Sequence, residues 1–139
     1  MPHEARAREE VRRKLVGHWT DKAAQDLDAA EVLMQHEPPL LYPVCFHCQQ
    51  ASEKYIKSFL TYRQVEFPKT HNIRELLDLA ATVDHNLAEE LIPAAILTPY
   101  GVEARYPDDL PEPSQAESVE ALALARHVAK AVMSRMKAD

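Results

Sequence analysis

The sequence predicts an all-α protein, an up-down bundle of four to five helices with a Pro-rich loop before the last one. Three observations carry this. Apolar residues recur at three- and four-residue intervals along most of the chain. No stretch of any length alternates as a half-buried strand would. The 139 residues include only two glycines, too few for many tight hairpins or phosphate-cradling loops. A chain this long fits one domain and buries roughly 68–70% of its unfolded surface, so one ordinary core suffices.

Residues 1–18 read as a charged helical extension, with Val11 and Leu15 among its few sizeable apolar residues; residues 19–139 read as the bundle proper. Thr20 is placed to cap a first helix in which Ala23, Leu27, Ala30 and Met34 share a face, opposite Asp21, Asp26, Asp28 and Glu31. Pro38 and Pro39 end it. The second helix is expected from about Leu40 to Tyr62. Leu41, Val44, Cys48, Ala51, Tyr55, Phe59 and Tyr62 form one stripe, and Phe46, Gln49, Glu53, Ile56 and Leu60 a second. With two of its three faces largely apolar, this helix packs on two sides and is the central element. His47, Gln50, Lys54, Lys57 and Thr61 make the third, polar stripe. Pro68 closes the hairpin, and Thr70 caps a third helix through Ile73, Leu76, Leu77 and Ala80. Leu87 to Leu97 supports a short fourth helix that Pro93 kinks or breaks. Residues 98–113, with four prolines and one glycine, are expected to be loop. Ser114-Gln115-Ala116-Glu117 has the capping-box form and opens the last helix, whose apolar stripe is Leu122, Ala125, Ala129, Val132 and Met136.

Asp plus Glu outnumber Lys plus Arg 22 to 16, a formal charge of −6, which disfavours nonspecific nucleic-acid binding. The N-terminus is too charged for a signal peptide, and no apolar run approaches membrane-spanning length. Two neighbouring cysteines do not make a secreted disulfide framework, so the expected compartment is the cytoplasm.

Cys45-x-x-Cys48 has the spacing of redox and zinc motifs. On a continuous helix, however, neither thiol stands at a helix N-terminus, no second pair exists, and His47 points about 100° away from its neighbours. Two buried thiols packing as small hydrophobes are expected, with neither metal nor cofactor. The polar stripe is the better candidate. His47, Gln50 and Lys54 stack a titratable ring, an amide and a cation that could face an anionic ligand; the plainer reading is a Glu53–Lys57 pair with the other groups solvated. Arg105, in Arg105-Tyr106-Pro107, could bind phosphate or dock its loop on a carboxylate such as Glu53. His71 reads as a cap-region hydrogen bonder or a ligand.

The run F-H-x-Q-Q-A-x-E-K-x-x-K-x-x-L, Phe46 to Leu60, resembles the signature of the HEPN family (higher eukaryotes and prokaryotes nucleotide-binding domain). Trp19, Ala23, Asp26-Leu27 and Ala30 resemble its first-helix pattern. Thr70-His71 with Leu76-Leu77, and Arg105-Tyr106-Pro107, resemble its later landmarks. The resemblance spans about residues 19–136. It implies a bundle of four or five helices, usually a homodimer. Some members are metal-independent ribonucleases carrying Arg-x4–6-His in the last helical segment; others bind nucleotide or substrate beside a separate minimal nucleotidyltransferase.

This chain departs from the nuclease pattern. Arg126 is followed at once by His127, and the two point about 100° apart on a helix. Arg-x4–6-His occurs only as Arg12 and Arg13 with His18, in the extension. The resemblance therefore implies a non-nuclease accessory module that binds a nucleotide or another phosphate-bearing small molecule through His47, Gln50, Lys54 and Arg105. The expected partner is a minimal nucleotidyltransferase, in a toxin–antitoxin-like pair. RNA is disfavoured as a ligand. The alternatives are an RNA endonuclease with a composite dimer site and an antitoxin-like interaction protein without a ligand.

Overall fold

The structure is a computed structural model that describes residues 2–101 and 112–136. Five α-helices follow one another: α1 (His3–Gln35), α2 (Leu41–Tyr62), α3 (Ile73–Ala81), α4 (His85–Leu91) and α5 (Gln115–Arg135), with a 3₁₀ helix (Ile92–Gly101) continuing from α4. Among the described residues there is no strand.

The first helix corrects the expected break. Thr20 caps nothing; its hydroxyl donates back to the Gly17 carbonyl at 3.1 Å, inside one uninterrupted helix of 33 residues. A Thr can satisfy its hydroxyl on the preceding turn without leaving helical geometry, so a good cap residue is only a permissive signal. Gly17 costs the helix propensity but nothing sterically, since a Cβ there would meet no atom within 4 Å. The helix stops at Gln35, before the Pro38-Pro39 pair, with His36 already extended. Leu40 N–H then bonds the Leu33 carbonyl at 3.2 Å and turns the chain into α2.

The central helix lies where its stripes put it. Val44, Cys48, Ala51, Tyr55 and Phe59 of one stripe are buried, and so are Ile56 and Leu60 of the other. It packs against α1, α5, α3 and the 3₁₀ helix. Fully burying side chains such as Phe59, Ile56 and Leu60 contributes about 1.5–3 kcal/mol each.

Two smaller corrections concern caps and loop. Asn72, not Thr70, caps α3: its side chain accepts from Glu75 N–H at 3.1 Å, while Thr70 Oγ1 accepts from Asn72 N–H and donates to the Glu75 carboxylate. Asp84 caps α4 by accepting from Leu87 N–H at 3.0 Å. The helix gives way to 3₁₀ geometry at Ile92, one residue before Pro93, which has no N–H for an α-type bond. The 3₁₀ helix runs to Gly101, so residues 98–101, expected as loop, are helical. Ser114 and Glu117 form the expected capping box, with reciprocal bonds of 3.0 and 2.9 Å. Because Cys45 meets Ser118 and Ser58 meets Met136, α5 runs alongside α2 in the same direction, whereas α1 runs against it.

Candidate functional site

Antiparallel packing of α1 on α2 brings Asp26 opposite the polar stripe. Asp26 Oδ1 lies 2.9 Å from His47 Nδ1, and Oδ2 accepts from Lys54 Nζ at 2.5 Å. His47 and Lys54 fall on one side of α2 because seven residues make about two turns. Asp26, placed by sequence periodicity on a solvent face, points instead at this neighbour, its side chain only 13% exposed. Both of its partners remain partly exposed. The carboxylate fixes His47 through Nδ1 and so leaves Nε2 for another group. It occupies one of the three Lys54 N–H donors and leaves two.

Gln50, the third expected member, turns toward the interior rather than toward Asp26. Its Nε2 donates to Gln49 Oε1 at 2.6 Å. Gln49 in turn donates to Glu53 Oε1 at 3.1 Å and to the His71 carbonyl at 3.0 Å. Glu53 also takes Lys57 Nζ on Oε2 at 2.9 Å and His71 Nδ1 on Oε1 at 2.9 Å. The Glu53–Lys57 pair expected as a surface feature is therefore real but internal, its side chains 4% and 8% exposed. Lys57 Nζ lies 5.4 Å from the Trp19 ring centroid and 5.8 Å from that of Phe67, two rings packed edge to face. Gly101 closes the arrangement from the far side. A Cβ there would stand 2.3 Å from Gln49 Cδ, so only a glycine lets the end of the 3₁₀ helix lie flush on the amide.

Of the four sequence-predicted site residues, His47 and Lys54 come together on one carboxylate, Gln50 joins the inner network, and Arg105 lies outside the described residues. The carboxylate considered for docking Arg105, Glu53, already receives three side-chain donors. Three participants escape a sequence reading of the site. Asp26 has only its place beside Leu27 in the first-helix pattern. Gln49 stands in the second α2 stripe, and Lys57 in the polar stripe but one turn too far along. The usable signal is their co-occurrence at i, i+4 steps along an otherwise apolar helix.

Other chemistry separates from this region. Cys45 and Cys48 are free and fully buried. Burial pushes the Cys45 thiol above its ordinary range and that of Cys48 up to about 12, the opposite of what a reactive thiolate needs. No group of three or more His, Cys, Asp or Glu side chains among the described residues is arranged to hold a metal ion. Arg126 pairs with Glu31 of α1 at 3.0 Å, while its neighbour His127 pairs with Glu90 of α4 at 3.0 Å. The two therefore diverge to different sides of α5 and do not face a common phosphate.

A family model for the HEPN domain matches residues 16–136. The crystal structure of an archaeal HEPN homologue superposes with a TM-score of 0.70 at 24% identity, covering 88% of this chain and 98% of that one. That of a protein from Thermus thermophilus superposes with a TM-score of 0.68 at 28% identity, covering 86% and 96%. Among curated proteins none matches. No helix of the described residues is long and apolar enough to cross a membrane. With the family match running from the middle of α1 to the end of α5 and the fold shared with a HEPN homologue, the chain belongs to the HEPN domain family.

Proposed function

We propose that this chain is a non-nuclease HEPN binding module, and that its outer polar face takes a nucleotide or another phosphate-bearing small molecule. The observation that supports this is the placement of His47 and Lys54 on one carboxylate, partly exposed, between two helices. A phosphate oxygen at this face would receive a free Lys54 N–H and, once the ring is protonated, His47 Nε2–H, both as charge-assisted bonds. Asp26 holds the two side chains in place before ligand arrives, which lowers the ordering cost of binding. Gln50 belongs to the set by its place on the same stripe, although its amide is donated to Gln49 rather than to this face. Arg105 joins the set on sequence grounds alone. The module is proposed to work as a homodimer in the cytoplasm, beside a minimal nucleotidyltransferase, as the family resemblance implies. The divergence of Arg126 from His127 favours this reading over RNA cleavage.

Titration calorimetry with ATP and with inorganic phosphate tests the site. Lys54→Ala and His47→Ala should each weaken ATP binding about tenfold or more without altering the far-UV spectrum. Unchanged affinity in both variants would remove the assignment. Co-purification with a nucleotidyltransferase co-expressed from the native host tests the partner separately.

A further inference from the structure

We infer that a second surface, the groove between the first third of α1 and the α2–α3 connection, docks an acidic amphipathic helix of a partner protein. The 33 residues of α1 span about 50 Å and the 22 of α2 about 33 Å at 1.5 Å per residue. The two are antiparallel, and the end of α2 meets α1 at Arg12, whose guanidinium donates to the Tyr62 carbonyl and lies 5.1 Å from the Tyr62 ring centroid. Residues 3–11 therefore run beyond α2, and among the described elements α1 packs only on α2 and α5.

At the junction the chain leaves an open groove of about 410 Å³. Val11 and Leu15, one turn apart, are 57% and 49% exposed and face Val65 and Phe67 across it. On the α1 side Arg8, Val11, Arg12 and Leu15 follow at i, i+3, i+4 and i+7, a ridge of the kind that packs into the groove of another helix. Large apolar side chains exposed together beside a concavity mark an interaction surface rather than ordinary surface scatter.

Charge selects the occupant. Residues 1–18 carry five cationic side chains against three glutamates, in a chain whose formal charge is −6. This segment is thus the positive end of an acidic molecule, and it also coincides with the positive end of the α1 dipole. Arg8 edges the groove directly. An acidic helix with two apolar residues one turn apart satisfies both the floor and the rim. RNA would meet the same arginines, but the apolar floor of Val11, Leu15, Val65 and Phe67 has nothing to offer a phosphate or base edge, whereas it suits the apolar side chains of a helix. This surface is separate from the His47–Lys54 face, and the inference does not depend on what binds there.

Selection of a displayed library of helical peptides on the intact protein tests it. The expected enriched sequences carry two apolar residues at i, i+3 or i, i+4, flanked by Asp or Glu. Synthetic copies should lose at least tenfold in affinity against Val11→Asp/Leu15→Asp, with the far-UV spectrum of the variant matching that of the parent. Arg8→Glu should weaken acidic copies and favour versions with Lys in place of the acids. Failure of any peptide to enrich, enrichment of basic sequences, or affinities indifferent to Val11→Asp/Leu15→Asp would each overturn the inference. So would conversion of a dimer to a monomer by that variant, which would assign the face to a second copy. Binding of a single-stranded RNA oligonucleotide lost on Arg8→Glu would assign it to nucleic acid instead.

Discussion

Asp26 and Glu53 accept the same donors, a histidine Nδ1 and a lysine Nζ, at different depths. Asp26 joins α1 to α2 at the surface and leaves its partners in contact with solvent. Glu53 adds a third donor, Gln49, and sits with Lys57 in the interior, where the ammonium also faces two aromatic rings. In water-rich surroundings such a pair contributes about 0–1 kcal/mol, whereas a buried pair is costly to break because the surviving charge has no hydration to return to. The same constellation is thus locked into the interior in one place and left partly exposed in the other.

Breaking the inner pair should have the largest effect. Glu53→Ala leaves Lys57 as a buried cation without a counter-charge and should cost about 3–5 kcal/mol in urea unfolding. Glu53→Leu/Lys57→Met should recover much of that loss by removing both charges. A loss under about 1 kcal/mol in the single variant would place Glu53 energetically with Asp26 and end the distinction.

Depth also acts on the other side of α2, at Cys48. Its thiol is pushed up to about 12 in the folded protein by burial, against about 8.5 in an unfolded chain. The folded state therefore keeps a proton that the unfolded state releases. This contribution is intact below about pH 8.5 and is lost as pH rises toward about 12, at up to about 1.4 kcal/mol per unit. Urea unfolding between about pH 8 and 11 should show this slope flattened in Cys48→Ala relative to the parent chain, whatever the packing loss. Equal slopes would show that solvent reaches the thiol.

A finer test sharpens the inner network. Gly101→Ala places a methyl against the buried Gln49 amide and should cost about 1–3 kcal/mol in thermal unfolding. An unchanged melting temperature would mean that Gln49 swings aside freely and that the network is loose. Asp26→Asn should have the smallest effect on folding, about 1 kcal/mol or less, because its partners can turn to water. A loss equal to that of Glu53→Ala would make the outer carboxylate a folding element too.

Much of the bundle is legible in periodicity. The two stripes on α2 determine its burial, and the Ser114–Glu117 box determines where α5 begins, because both are local patterns with one geometric solution. The errors fall where two local solutions have similar energy. Thr20 can cap a helix or bond back within one, and Asn72 and Thr70 are both cap formers two residues apart. The arrangement of the candidate site is half legible. His47 and Lys54 share a stripe and emerge together. Asp26 comes from another helix, 21 residues from His47, and only tertiary packing shows which way it points. For Lys57, helix phase suggests the surface, but the rings of Trp19 and Phe67 draw its ammonium inward.

That last contact gives the molecule a native optical reporter. The chain has one tryptophan, and its indole packs against both the buried ammonium and Phe67, which also walls the α1 groove. Emission from Trp19 should therefore respond when the Glu53–Lys57 pair is broken and when a helix enters the groove. Asp26, His47 and Lys54 bond to one another rather than to the indole, so ligand binding at their face should leave the spectrum nearly unchanged. One unlabelled protein can thus distinguish occupancy of the two proposed surfaces by colour.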